Sequence, residues 1–475
     1  MSWNLKPVRN AAVGGIAVVA LGAGAAARAD NTDQLEAQLR IMQDQIRHLQ
    51  QQIEENRAET RARAQADAEK QAAKKKDDLD LKVKWKGAPE LSSKDGKYKM
   101  KVRGRLNVDY NAINQDQAIT NSPDVSAAEL RRARLGVEGV IAEDTKYKFE
   151  VDFASDTTAV KDAYFEYTGW GPDFRLRVGN FKTFNSLEHI MSANFIEFME
   201  RAAFVEAFGL DRHVGIGAIY ARENFTLSAG LFGPTVSNQV DWHQDVKLGS
   251  ARVTVAPINE EGHVLHLAAS WRQRHGAQEL RTNIAPLNDQ FFTYRARGAN
   301  LHLANRFIAT PVIFDRDTFW GLEAAYVWGP WSIQGEYAQL HGDVAPLFAG
   351  QDPTYTGGYV EVSWFLTSET RPYKEGEFVR QQVLNPVNEG GHGAWQLVAR
   401  YDTLNLKDNA TTIAACVTCG IQNTWQAGVN WWLNDYTRVM LNYGESSIGG
   451  GFLAGANRND DAKIKGFGSR LQIDW

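Results

Sequence analysis

From Lys97 onward apolar and polar residues alternate with a period of two, the pattern of strands with one greasy and one wet face. In the stretch up to Tyr110, Met100, Val102, Leu106, Val108 and Tyr110 share one face, and Lys99, Lys101, Arg103, Arg105, Asn107 and Asp109 share the other. Tyr147, Phe149, Val151 and Phe153 likewise oppose Lys146, Lys148, Glu150 and Asp152. Phe174, Leu176 and Val178 oppose Arg175 and Arg177, and Phe467, Leu471, Ile473 and Trp475 oppose Arg470, Gln472 and Asp474. About sixteen such segments are predicted, starting near residues 98, 130, 145, 160, 173, 213, 224, 248, 263, 319, 331, 358, 394, 424, 437 and 467. The connections alternate as well. Six of the odd-numbered ones are long (183–212, 233–247, 272–318, 340–357, 403–423 and 445–466), whereas most even-numbered ones are tight turns such as AEDT, GWGP, REN and LNDY. A long stretch from about Ser368 to Gly393 breaks that rule on the short-turn side.

So much apolar surface needs a cover. On a water-exposed antiparallel sheet one face would pack on a core, and the chain has no second set of elements to supply it. Closing the sheet into a cylinder in lipid satisfies every backbone donor and acceptor, with the apolar face outward and a polar, water-filled lumen inside. The predicted fold is all-β: an antiparallel transmembrane β-barrel of about sixteen strands over residues 97–475. With a periplasmic N-terminus the long loops face outward.

The first 80 residues read differently. Lys6 and Arg9 precede an apolar run from Ala11 to Ala26, and Ala27-Arg28-Ala29 gives a cleavage spacing, so residues 1–29 are predicted to be a signal peptide. Residues 30–80 are predicted to be a helical segment. Leu35, Leu39, Met42, Ile46, Leu49 and Ile53 fall at spacings of 4, 3, 4, 3 and 4, a coiled-coil seam of almost three heptads that needs copies of itself to bury its stripe. Beyond Arg57 the seam is lost and the segment is a charged helix or linker. The expected location is the outer membrane, with the coiled coil in the periplasm and lipid around the barrel.

Composition sharpens this reading. After residue 30 no apolar run approaches the ~18 residues of a spanning helix, yet the chain carries 14 Trp, 15 Tyr and 22 Phe, the residues of interfacial girdles. A net charge of −5 does not decide which ion passes, because selectivity depends on where charges sit along a pore. Lys101, Arg103 and Arg105, with Lys146 and Lys148 and extended by Arg175 and Arg177, form a candidate ladder for anions. Glu138, Glu150, Asp152, Asp162, Glu166 and Glu336 are predicted to face the same lumen, which would make a mixed wall. Cys416 and Cys419 lie in an external loop and, exported, are expected to form a disulfide. No nucleophile elbow, zinc-protease or phosphate-cradling glycine motif is present, so the expectation is no enzyme, no cofactor, no metal and no nucleic-acid partner.

The segments RRARLGVEG (131–139), KYKFEVDF (146–153), KDAYFEYTG (161–169), VGNFKTFNSLEHIMSANFIEFMER (178–201), GAWQLVARYD (393–402) and GVNWWLNDYTRVMLNY (428–443) resemble the phosphate-selective porin O and P family. The resemblance spans the whole barrel region. It implies a homotrimer of sixteen-stranded barrels whose third external loop, here about Thr183 to Arg212, folds inward as the constriction. It further implies that Arg131, Arg132, Lys146 and Arg201 line the anion path and that Ser192 faces the pore. One departure is His189, where phosphate-specific members carry a lysine. The fifth external loop offers Arg281, Arg295, Arg297 and Arg306 in looser spacing than theirs. The expected function is passive diffusion of small anions, phosphate among the candidates. The alternatives are a general, weakly selective pore and a receptor or adhesin barrel working through its external loops.

Overall fold

The computed structural model describes residues 30–78, 81–85, 87–116, 122–154, 158–236, 247–276, 291–409, 418–449 and 462–475, with side chains of the first helix described over 36–71. The signal-peptide reading, Arg281 and Cys416 lie outside the described residues.

Two units make up the chain. In the first, a single helix α1 runs from Asp30 to Asp78, so the charged stretch after Arg57 is helical. Leu39, Met42, Ile46, Leu49 and Ile53 are each 50–56% exposed along it.

The second unit is a closed antiparallel barrel. Its sixteen strands are β1 (Lys99–Gln115), β2 (Val125–Ile141), β3 (Thr145–Asp152), β4 (Ala159–Tyr167), β5 (Phe174–Lys182), β6 (Arg212–Arg222), β7 (Phe225–Phe232) and β8 (Lys247–Glu260) in the first half. The second half holds β9 (His263–His275), β10 (Phe314–Trp328), β11 (Trp331–Val344), β12 (Thr354–Phe365), β13 (Ala394–Asn405), β14 (Ile421–Asn434), β15 (Thr437–Gly449) and β16 (Ala462–Asp474). Each strand pairs with the next, and β16 pairs with β1 from Ile464↔Gln115 to Asp474↔Arg105, which closes the cylinder. A short hairpin, Lys82–Trp85 with Pro89–Ser92, extends the sheet by pairing onto β1.

Five strands (β2, β10, β12, β14 and β16) begin three to five residues before the predicted starts, all at the long-loop rim. There the inward residues, such as Phe314, Tyr355 and Ile464, pack on the segments that fill the bore, while outward ones such as Arg316 and Lys463 meet water, so the apolar-out contrast fades. The pairing continues because backbone hydrogen bonds do not depend on that contrast.

Exposure is inverted relative to a water-soluble protein. Trp328 is 68% and Leu322 60% exposed, whereas Arg272, Arg438, Arg470 and Asp402, on the inward face, are almost fully buried. Trp328, Trp331, Trp364, Trp395 and Trp431 form a row on neighbouring strands at the short-turn rim, with Trp331 stacked on Trp364 at 4.7 Å and Trp395 on Trp431 at 5.0 Å. Trp271, Trp320, Tyr401, Trp425 and Tyr443 mark a second row. On β10 the rows are eight residues apart, about 27 Å along the strand. With the strands tilted about 40°, the two girdles stand about 20 Å apart in height and bound the apolar band between them.

The apolar core lies inside the cylinder. Between β5 and β6 the chain turns inward and forms two short helices, α2 (Leu187–Ile190) and α3 (Ala203–Ala207). Phe204 and Phe208 of this loop pack with Tyr294, Ile308 and Ile313 of the β9–β10 connection and with Phe314, Phe319, Leu340, Tyr355 and Tyr359 of the wall. A bare spot in the wall lets them seat: a Cβ on Gly357 would lie 2.4 Å from the Phe204 Cβ. The long segment after β12 also enters the lumen from the short-turn side. Its Phe378 packs with Leu187 and Met191, and its Arg371 donates to Gln334 on β11 (2.8 Å). Loops from both rims therefore fill the β9–β15 side of the bore.

Ala324 faces outward midway between Trp320 and Trp328. Ala324→Arg is expected to cost about 2–4 kcal/mol of folding stability in lipid, and Ala324→Leu close to nothing, measured by urea unfolding in liposomes.

Candidate functional site

Opposite the apolar filling, against β1–β6, two polar cavities remain. The upper, of about 410 Å³, lies toward the long loops and the lower is about 260 Å³. Arg132, Lys182, Arg201 and Arg212 line both and form a cationic collar between them.

The collar and its neighbours are set by local backbone geometry. Consecutive strand residues point to opposite faces, so Arg131 and Arg132 could not both face the lumen from a regular strand. The register shifts here, with Asn107 opposite Arg132 and Val108 opposite Leu130, leaving Arg131 as the extra residue of a bulge. Both arginines then line the upper cavity. Arg105 on β1 donates to Ser192 Oγ at 3.1 Å, which joins the ladder to the inward loop.

The loop is held by charges at both ends of α2. The wall carboxylate Glu336 accepts the amides of Leu187 (3.1 Å) and Glu188 (2.8 Å), and Ser186 Oγ accepts that of His189 (3.1 Å). At the other end Lys182 Nζ donates to the carbonyls of His189 (2.7 Å), Ile190 (3.0 Å) and Met191 (2.8 Å). Arg201 donates to the carbonyls of Glu188 (2.7 Å) and Met191 (2.9 Å). Anion at the amide end and cations at the carbonyl end complement the peptide dipoles and fill the unpaired groups of a short helix. Further along, Asn442 accepts the Met199 amide (2.8 Å), Asp402 accepts the Ala203 amide (2.7 Å), and Arg438 donates to the Ile196 carbonyl (2.8 Å).

Most lumen charges are paired. One nitrogen of Arg103 donates to both oxygens of Glu138, Arg134 bonds Glu150 and Asp152, Lys148 and Arg212 share Asp162, and Arg177 bonds Glu166. Among the described residues, Arg105, Lys182 and Arg201 have no carboxylate within ion-pair distance, and the balance is cationic. Around the lower cavity stand Arg105, Arg132, Arg134, Lys148, Arg177, Lys182, Arg201 and Arg212 against Glu150, Asp162 and Glu377. The upper cavity sets Arg131, Arg297, Arg306 and the four collar residues against Glu200, Glu206 and Asp211. Low-dielectric walls lined by one sign of charge focus that field on the path between them.

The structure thus brings together Arg105, Arg131, Arg132, Lys148, Ser192, Arg201 and His189 from the sequence reading. Lys101, Arg103 and Lys146 line neither cavity; Arg103 is tied to Glu138, and Lys146 lies 3.8 Å from Glu166. Arg175 pairs instead with Glu375 of the inward segment (2.6 Å). Arg297 and Arg306 pair with Glu206, and Arg295 is exposed. Cys419 is buried in the aromatic cluster, while the pairing with Cys416 lies outside the described residues.

Lys182, Arg134 and Arg212 were not singled out from sequence. Parity puts Lys182 with the lipid-facing Val178, but the strand leaves strict alternation after Gly179 (φ 132°) and Lys182 reaches the loop. His189 is buried beside the collar. Burial first, then Lys182 and Arg201, holds its imidazole well below its ordinary value. A ring neutral in the folded state favours docking of the loop above about pH 6.5 and opposes it as pH falls below that. Away from the lumen, His341, Asp343 and Asp352 bring ligand atoms within 4.8 Å of one another, but Arg316 and the Val344 amide already engage the two carboxylates.

A closed barrel with aromatic belts outside and a charged bore narrowed by inward loops is an outer-membrane porin channel. The family described as phosphate-selective porin O and P matches residues 100–475, and the chain belongs to that family. It is 32% identical over 405 residues to an uncharacterized protein of Caulobacter vibrioides, covering 83% of this chain and 77% of that one. It is 29% identical over 436 residues to Porin O of Pseudomonas aeruginosa, covering 83% and 93%. Among solved structures, OmpT of Vibrio cholerae matches with a TM-score of 0.50 at 14% identity, covering 80% of this chain and 98% of that one. The outer-membrane channel DcaP of Acinetobacter baumannii matches with 0.50 at 13%, covering 81% and 99%. At these identities the two structures speak for the fold alone.

Two outcomes follow from the loop. Lys182→Met leaves the carbonyls of His189 and Ile190 unpaired, while Arg201 still serves that of Met191, and is expected to lower barrel stability by about 1–3 kcal/mol in denaturant titration. His189→Gln is expected to leave ion selectivity unchanged from about pH 6 to 8 in planar bilayers; a fall in anion preference at the acid end would reveal a charged ring.

Proposed function

We propose that the channel passes small anions by passive diffusion, with phosphate as one candidate solute. The observation carrying this reading is the cationic collar of Arg132, Lys182, Arg201 and Arg212 with Arg105 below it. A partly desolvated anion needs donors along its route, and several moderate sites let it leave as well as enter. Guanidinium groups offer planar bidentate contacts suited to oxyanions. The description of the family as phosphate-selective agrees with this direction.

A second reading, a general and weakly selective pore, is favoured by the pairing of Arg103, Arg134, Lys148 and Arg177 with carboxylates. Paired charges present weak fields to a passing ion. The unpaired Arg105, Lys182 and Arg201 tip the balance to the first reading.

The working assembly we infer is a homotrimer. Strands β3, β4 and β5 have only eight or nine residues, and Phe149, Phe165 and Val178 are exposed on their outer face. Tilted at about 40°, such strands rise only about 20 Å, well below the twelve- to fifteen-residue strands β8–β16. A second copy covering this low wall removes the mismatch. The seam of α1 offers copies a further contact in the periplasm.

In planar bilayers under a KCl gradient, the reversal potential is expected to favour chloride. Replacing Arg105 and Arg132 together with Gln should reduce the anion-to-cation permeability ratio several-fold. A wild-type ratio near one would select the unselective pore.

A further inference from the structure

We propose that Glu200 is a tethered counter-ion that occupies the channel's own arginine site and thereby sets how tightly, and how selectively, anions are held in the upper cavity. The inference rests on the anion-channel reading and names the residue that tunes it.

The geometry is that of a bound oxyanion. Arg131 grips the Glu200 carboxylate through two parallel bonds, Nε to Oε1 and a terminal nitrogen to Oε2, each 2.9 Å. Arg470 adds a bond of 2.8 Å to Oε1, and Arg132 stands 3.6 Å from Oε2. Three guanidinium groups from β2 and β16 thus converge on one carboxylate carried by the loop, a fork geometry that also fits a free carboxylate or phosphate. Arg470 is partly satisfied elsewhere, by two bonds of 2.7 Å to Asp109, but among the described residues Arg131 has no other carboxylate at ion-pair distance. Glu200 is not sealed away: its side chain is 18% exposed and lines the upper cavity with Arg131 and Arg132. An arriving anion meets these arginines already neutralised in part by a carboxylate that cannot diffuse away.

Glu200 also stays charged. Burial would raise its carboxyl, but Arg131, Arg132 and Arg470 outweigh that and hold it well below the usual carboxylate range. The counter-charge is permanent at any pH near neutrality. A solute anion can share the arginines or displace the carboxylate but never finds them free, so its residence is short. Short residence favours throughput over affinity.

The test uses the full chain in planar bilayers, with chloride as the current carrier and inorganic phosphate as the blocker. Glu200→Gln keeps the shape and removes the charge. Block by phosphate is expected to tighten about tenfold, the scale of one unmasked unit charge a few ångströms away in a partly screened cavity, and the anion-to-cation ratio is expected to rise. Arg131→Gln should do the opposite, and the double variant should return toward wild type because the two charges cancel. Unchanged or weaker block in Glu200→Gln overturns the proposal. So does a conductance that rises for both ions while the ratio drifts toward one, the mark of a loop merely loosened. Should Glu200→Gln fail to insert, Glu200→Asp, with its carboxylate drawn back by one methylene, is expected to show a smaller tightening in the same assay; no change there overturns the proposal equally. If the wild-type channel prefers no anion at all, the anion-channel reading itself falls, whereas a wild type that prefers anions with a neutral Glu200→Gln effect removes this inference alone.

Discussion

The pairing of β16 with β1 is the constraint on which the rest of the structure depends. In hydrocarbon no water is available to satisfy an open sheet edge, so each backbone donor and acceptor must find its partner within the cylinder. Once the ring is closed, two-residue periodicity assigns every side chain to lipid or to lumen. Tryptophan and leucine become the exposed residues and arginine and aspartate the buried ones, as at Trp328 and Leu322 against Arg470 and Asp402. Those buried charges are tolerable because the wall and the inward loops pair them: Arg470 with Asp109, Arg400 with Glu361 and Glu188, Arg252 with Glu323.

The same closure makes a specific bore possible. A sixteen-stranded ring alone would leave a wide channel. Loops from both rims fill one side with an aromatic core, and the remaining passage runs along β1–β6, where cations outnumber carboxylates. Selectivity therefore rests less on the charge of the chain, which is net negative at −5, than on which wall the loops leave open.

Much of the barrel was legible in the sequence because its cause is local. Alternation at Leu106, Val108 and Tyr110 against Arg105, Asn107 and Asp109 needs no knowledge of distant residues, and the faces fall as read. The site was legible where a motif carried it, as for Arg131, Arg132, Ser192 and Arg201, and less so where geometry did. That Arg131 and Arg132 face the same way requires a bulge, and Lys182 escapes its parity beyond Gly179. The anchoring of α2 by Glu336 joins residues about 150 positions apart in the chain. Pairings such as Arg175 with Glu375 arise only because the segment after β12 folds inward, a route its polar composition does not announce.

The inward loop is fixed to opposite sides of the ring, by Lys182 of β5 and, eight strands on, by Asp402 of β13, with Glu336 of β11 and Asn442 and Arg438 of β15 on either flank. It therefore works as a strut across the diameter. Lateral squeezing by the surrounding lipid would have to stretch or break these bonds before the cylinder could become oval, so the bore keeps its gauge under mechanical load and narrowing or widening it calls for undocking one end of the strut.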